Sequence, residues 1–219
     1  GDDNRTILDY AVADVREPPL VAMLRKFTGA LPYLALIARR NDIADPFDER
    51  VVEAYWIGNE LLERVEAREL YDHLKARYGK ELSARTMDRV AAKAPVGARP
   101  HHSFHVFDVW RQTERGRNEA LATIDSCRIS WGTVTAVEHG ELVVERAPIV
   151  FEAGKLALGT PRAERVTRML EGSGFVTEAT VGDVISIHWS WACEVLTAEQ
   201  VRALERYTRQ HLGLANDTI

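Results

Sequence analysis

The apolar residues of this chain change their spacing part-way along it, and that change limits what it can fold into. Up to about residue 94 they recur every three or four positions, which a helix gathers onto one face. From about Asp125 they fall in short runs, over 128–137, 141–150 and 184–189, that are rich in Val, Ile, Thr and Trp. Helices and strands in separate stretches predict an α+β chain. The expected division is a helical domain over 1–94, a linking segment over 95–124 and a small β-barrel over 125–219 closed by a terminal helix. At 219 residues the chain can bury a core without disulfide or metal staples.

Within the first stretch, Leu20, Val21, Leu24, Phe27 and Leu31 form a helical stripe, with Pro18 and Pro19 suited to its first turn. A second helix is expected near Pro46, capped by Asp45, with Val51, Val52, Ala54, Tyr55, Ile57, Leu61 and Leu62 on its apolar face. Shorter helices are expected over 67–78 and 82–92, the latter capped by Ser83. Glu53, Tyr55 and Asn59 are candidates for lining a pocket, although a solvated acid and packing aromatics are the plainer expectation. Pro95, Gly97 and Pro100 mark a loop. The apolar alternation over 103–110 then predicts a strand, and the polar stretch 113–118 a turn or linker. In the β region, His139-Gly140 is a hairpin turn, 155–158 a short strand and 161–171 a short amphipathic helix carrying Val166, Met169 and Leu170. Thr197 and Gln200 form a capping box at the start of a last helix over 197–214.

Charge and cysteine usage exclude several function classes. The formal net charge is -5, so a broad electrostatic footprint for nucleic acid is not expected. No apolar run is long enough to span a bilayer, and the acidic start Gly1-Asp2-Asp3-Asn4 lacks the apolar core of a signal peptide. The two cysteines, Cys127 and Cys193, allow one bridge or two free thiols; free thiols in a cytoplasmic protein are the simpler expectation. Gly172-Ser173-Gly174 lacks the lysine and helix of a phosphate loop. No Ser-His-Asp or Cys-His-Asn set can be assigned.

Two groups of residues carry chemistry. His101, His102 and His105 lie within five residues. On a strand, His101 and His105 share a face and His102 points the other way. Neutral imidazoles in such an array can bind a metal, although no acid or thiol completes the set by spacing and Asp108 is the nearest carboxylate. The pattern favours a surface or interdomain histidine cluster over a metal site. If the cluster is a metal site, the protein is a metal-dependent enzyme with the barrel as an interaction module.

The second group pairs Cys127-Arg128-Ile129-Ser130-Trp131-Gly132-Thr133-Val134 with Val181-Gly182-Asp183-Val184-Ile185-Ser186-Ile187-His188-Trp189. Together they resemble the opening Cys-x-x-x-Pro-Gly-x-Val and the closing Val-Gly-Asp strand, ending in His, of the HypC/HupF family of hydrogenase maturation chaperones. The resemblance spans about 125–219. Trp131 stands where the family has proline, and Cys127 is internal where the family's cysteine follows the initiator methionine. It implies an OB-like barrel and a role in assembling the metal centre of nickel–iron hydrogenase. It further implies iron, carrying cyanide and carbon monoxide ligands, bound through Cys127 with His188 as partner. The implied partners are the hydrogenase large subunit or another maturation protein. A soft thiolate suits such iron, and a nearby imidazole can orient it or assist its deprotonation. Cys193 has no counterpart in the motif and is expected to be a packing residue. The whole chain is also similar to an uncharacterised bacterial family that joins a helical region to such a barrel, through Val51-Val52-Glu53-Ala54-Tyr55-Trp56-Ile57-Gly58-Asn59, the His101 to Phe107 stretch and the His188 to Cys193 stretch. That resemblance implies genes lying near those of hydrogenase.

Overall fold

Helix ends in this protein are set by local capping. The computed structural model describes residues 29–113, 116, 120–170 and 172–218; the helix expected from Leu20 onward falls mainly outside them. α1 (Leu31–Arg40) opens with Pro32 in its first turn, where no N–H is missed, and ends on Arg39 and Arg40, which complement its C-terminal dipole. α2 (Glu49–Trp56) is capped by Asp48, whose side chain accepts from the Arg50 N–H. The expected cap, Asp45, instead folds a turn by accepting from Phe47. A 3₁₀ turn (Glu60–Arg64) follows. α3 (Ala67–Tyr78) has a Glu66/Glu69 capping box, and α4 (Ala84–Ala91) is capped by Ser83 as expected. Tyr33, Leu36, Ile37, Val51, Tyr55, Leu70, Leu74 and Met87 are among the residues that fill the core between these helices.

The strand expected over 103–110 is helical. Residues His102–Phe104 form an α-turn, His105–Val109 a π-turn and Trp110–Gln112 a 3₁₀ turn, one mixed helix in three pitches. Phe104, Val106, Phe107 and Val109 are all fully buried, between the helical core on one side and the segment 121–127 and the terminal helix on the other. A helix covered almost all round needs no solvent-facing polar side, and its polar residues His102, Ser103 and Asp108 are themselves buried, so its apolar residues lose the helical period and mimic alternation. α5 (Leu121–Cys127) then leads into the barrel.

The barrel strands are β1 (Ser130–Glu138), β2 (Glu141–Arg146), β5 (Arg162–Thr167), β6 (Val184–His188) and β7 (Trp191–Val195). They close in the order β1-β2-β5-β7-β6, with β5 and β7 parallel and β1 antiparallel to β6. This is the order of an OB-like barrel interrupted by one hairpin, β3 (Ile149–Glu152) and β4 (Lys155–Leu158), which forms its own two-stranded sheet. The single strand expected over 141–150 therefore breaks at Ala147-Pro148, where proline cannot donate to a ladder. The helix expected over 161–171 is strand β5 instead. Its charges satisfy neighbouring strands: Arg146 on β2 pairs with Glu164, and Arg165 pairs with Glu138 and Glu141. Val166 turns into the barrel core with Val134, Leu142, Val144, Ile185 and Ile187.

The terminal helix α6 (Ala198–Asn216) begins at the Thr197/Gln200 capping box and crosses both halves. Tyr207 and Leu214 enter the helical core, while Leu212 and Ala215 pack with Ile149 and Leu156 of the β3–β4 hairpin. Gly58, at φ 101°, lies under the Tyr207 ring; a Cβ there would sit 2.2 Å from the ring, so no other residue fits. Ile57 meets Ile129, Leu196 and Leu204, with Trp56 and Trp131 against them, and this cluster joins helices to barrel. Among the described residues no helix is long and apolar enough to cross a membrane.

Asp125 ties α5 to the barrel. Its carboxylate accepts from Arg128 Nε (2.9 Å), from Arg146 Nη1 (3.1 Å) and Nη2 (2.6 Å), and from the Ile149 N–H (2.9 Å). Burial alone would raise its pKa, but Arg146, Arg128 and Ile149 together hold it below the usual carboxylate range. Asp125→Ala strands Arg128, 1% exposed, without its counter-charge. The expected cost is about 3–5 kcal/mol in urea unfolding. Because the folded pKa is depressed, this stability is present above about pH 4 and lost as pH falls through the folded value. The variant's acid limb should accordingly be shallower than that of the wild type.

Candidate metal centre

Three chain segments that are remote in sequence end at one point. The mixed helix supplies His102 from its first turn, α5 supplies Cys127 as its last residue, and β6 supplies His188 as its last residue. One ligand atom from each lies within 4.8 Å of the others. The thiol and imidazole singled out in the sequence are therefore neighbours, and His102 makes the third member. At zinc-like bond lengths a tetrahedral ion would hold such atoms about 3.4–3.6 Å apart, so closure needs roughly an ångström of side-chain adjustment.

Local hydrogen bonds orient the set. His102 Nε2 lies 2.8 Å from the Cys127 carbonyl and must donate to it. Its Nδ1 therefore carries the lone pair, and the Tyr55 hydroxyl donates to it at 3.3 Å. The Trp56 ring packs 4.4 Å from His102 and 5.5 Å from His188, and the two imidazoles meet edge-on at 5.6 Å. His188 Nε2 is buried with no hydrogen-bond partner among the described residues. An orphaned buried imidazole nitrogen beside a thiol and a second imidazole fits a metal with mixed nitrogen and sulfur preference, such as zinc, cobalt or iron.

Burial sets the protonation of all three. It carries His102 well below the usual imidazole pKa, against the pull of the Cys127 carbonyl and with help from His188. It lowers His188, again offset by that carbonyl, and pushes the Cys127 thiol up to about 11. At neutral pH the site holds two neutral imidazoles and a thiol, so loading a metal releases the thiol proton.

The β6–β7 turn fixes His188 from the other side. Trp189 and Ser190 both have positive φ, 50° and 64°, as a two-residue type I′ turn requires but non-glycine residues resist. Two hydrogen bonds from outside the hairpin hold it: Trp189 N–H to the Ser126 carbonyl (2.9 Å), and Thr167 N–H to the Ser190 carbonyl (2.8 Å).

The three clustered histidines part company, because a helix rather than a strand carries them. Only His102, expected to point away from the others, reaches the thiol. His101 is the N-cap of the mixed helix: its Nδ1 accepts from Ser103 N–H. Ser103 Oγ lies 2.8 Å from that atom and 2.7 Å from His211 Nδ1, while His211 Nε2 accepts from Arg99 N–H. Both imidazoles are enclosed, and burial drives His101 down to about 4 and His211 well below its usual value. His105 faces the hydroxyls of Tyr33 (3.5 Å) and Tyr78 (3.4 Å) and is pushed to about 4 by burial. Asp108 pairs with buried Lys93 instead of joining a ligand set. Cys193 is a free thiol, bonded to the Trp191 carbonyl at 3.4 Å and raised by burial to about 11. Glu53 is occupied by Asn59 and Gln200. Tyr33, Tyr78 and His211 escaped the sequence reading; each looks like an ordinary member of an amphipathic helix.

A family model described as a family of unknown function, DUF6390, matches residues 1–219. The chain belongs to that family. No curated protein and no solved structure matches this DUF6390 member.

Substitution separates the candidate metal set from His105. Cys127→Ala, His102→Ala and His188→Ala should each weaken zinc binding by about 100-fold or more in calorimetric titration. His105→Gln, outside the set, should leave the affinity within about threefold.

Proposed function

We propose that this protein is a cytoplasmic accessory protein for assembling the metal centre of nickel–iron hydrogenase, with an iron fragment bearing diatomic ligands as its cargo. The observation that supports this reading is the meeting of Cys127 and His188. These are the two residues that the HypC/HupF resemblance implies as ligand and partner, and His102 from the helical region stands beside them. One thiolate and two imidazoles leave positions open on a bound metal, as a carrier that must release its load requires. The Cys127 thiol binds as thiolate, its proton leaving to solvent; His102 and His188 remain neutral and orient the load. The partner would be the hydrogenase large subunit or another maturation protein.

Anaerobic purification from a host that makes hydrogenase tests this. Bound iron with infrared bands of cyanide and carbon monoxide is the expected result, together with a loss of hydrogenase activity of about tenfold or more in a Cys127→Ala strain. Metal without those bands, and hydrogenase activity that survives the substitution, would point instead to a metal-dependent enzyme centred on the same three residues.

A further inference from the structure

We propose that Tyr55 is the hydrogen-bond donor to a small anion held at the open position of the His102–Cys127–His188 centre. This rests on the metal-binding reading of that site. With three protein ligands, a four-coordinate ion keeps one position for an exogenous group. His102 commits Nε2–H to the Cys127 carbonyl at 2.8 Å, so Nδ1 is the atom it can offer to a metal. The Tyr55 hydroxyl rests on that same atom at 3.3 Å, its one hydrogen bond among the described residues.

Metal binding at Nδ1 takes the lone pair on which Tyr55 now rests, so the hydroxyl shifts aside as the site closes and loses its acceptor. The phenol cannot turn to water. It is 1% exposed, stacked on Tyr33 at 5.5 Å and held edge-on by Trp56 at 5.2 Å. A buried hydroxyl without an acceptor is costly, and an anion on the adjacent metal position supplies one. The ligand class is thus a compact anion that keeps a lone pair on its donor atom, such as azide or hydroxide. The other two phenols of the cluster, Tyr33 and Tyr78, face His105 instead.

The test uses the full chain loaded with cobalt(II) and titrated with azide, followed by visible absorption. Tyr55→Phe should take up cobalt with the same thiolate-to-cobalt band as the wild type, yet bind azide roughly tenfold more weakly. Tyr33→Phe should bind azide as the wild type does. In the unmodified protein, the azide stretch should shift on exchange into D₂O, which reads the donor without any substitution. Equal azide affinity in Tyr55→Phe, or an azide stretch indifferent to D₂O, overturns the role of Tyr55 alone. Absence of a thiolate-to-cobalt band in the wild type overturns the metal centre and this role with it.

Discussion

The Asp125 carboxylate is the contact on which the arrangement of this protein turns. It gathers Arg128, Arg146 and the Ile149 backbone into one buried knot, and so fixes the end of α5 against β2 and β3. Cys127 lies two residues beyond it, which leaves that residue little freedom of position. Buried ion pairs add little net stability compared with apolar packing, but removing one partner is costly, so such a knot enforces a single geometry. Here that geometry places a thiol and a carbonyl where helices and barrel meet.

The same residue then serves both halves of the chain. Its carbonyl receives His102 from the helical side, and its thiol neighbours His188 from the barrel side. Neutral imidazoles are what a dry interior tolerates, because a charged ring there has lost its water without gaining a counter-ion. The histidines around the junction accordingly spend their nitrogens on carbonyls, hydroxyls and backbone N–H groups. His101 Nε2 and His188 Nε2 are exceptions among the described residues, and the latter sits beside the thiol.

Much of the architecture was legible wherever a local rule acts alone. The span 67–78, the Ser83 cap, the His139-Gly140 turn, the 155–158 strand and the Thr197/Gln200 box follow from capping and turn chemistry and stand as expected. The two segments assigned to the wrong class had their local signal overwritten by surroundings. The mixed helix is packed on almost every side and its polar residues are buried with the apolar ones, which erases its period. β5 carries ion pairs on its flanks, which look like the polar face of a helix. Cys127 and His188 were found through the family resemblance, and His102 was named but turned the wrong way by the strand assignment. The contacts of Tyr55 with His102 and of His211 with Ser103 are tertiary and leave no mark on spacing.

The Trp189-Ser190 turn reaches beyond the hairpin it closes. Two left-handed residues without glycine's freedom are affordable only while Ser126 and Thr167 grip them from outside. Should the segment around Ser126 loosen, the turn would tend to relax, and the imidazole just ahead of it would swing out of line. The hairpin thus works like a set spring whose catch is on the neighbouring helix, so that the readiness of the His188 imidazole is conditional on the proper seating of the segment that carries Cys127.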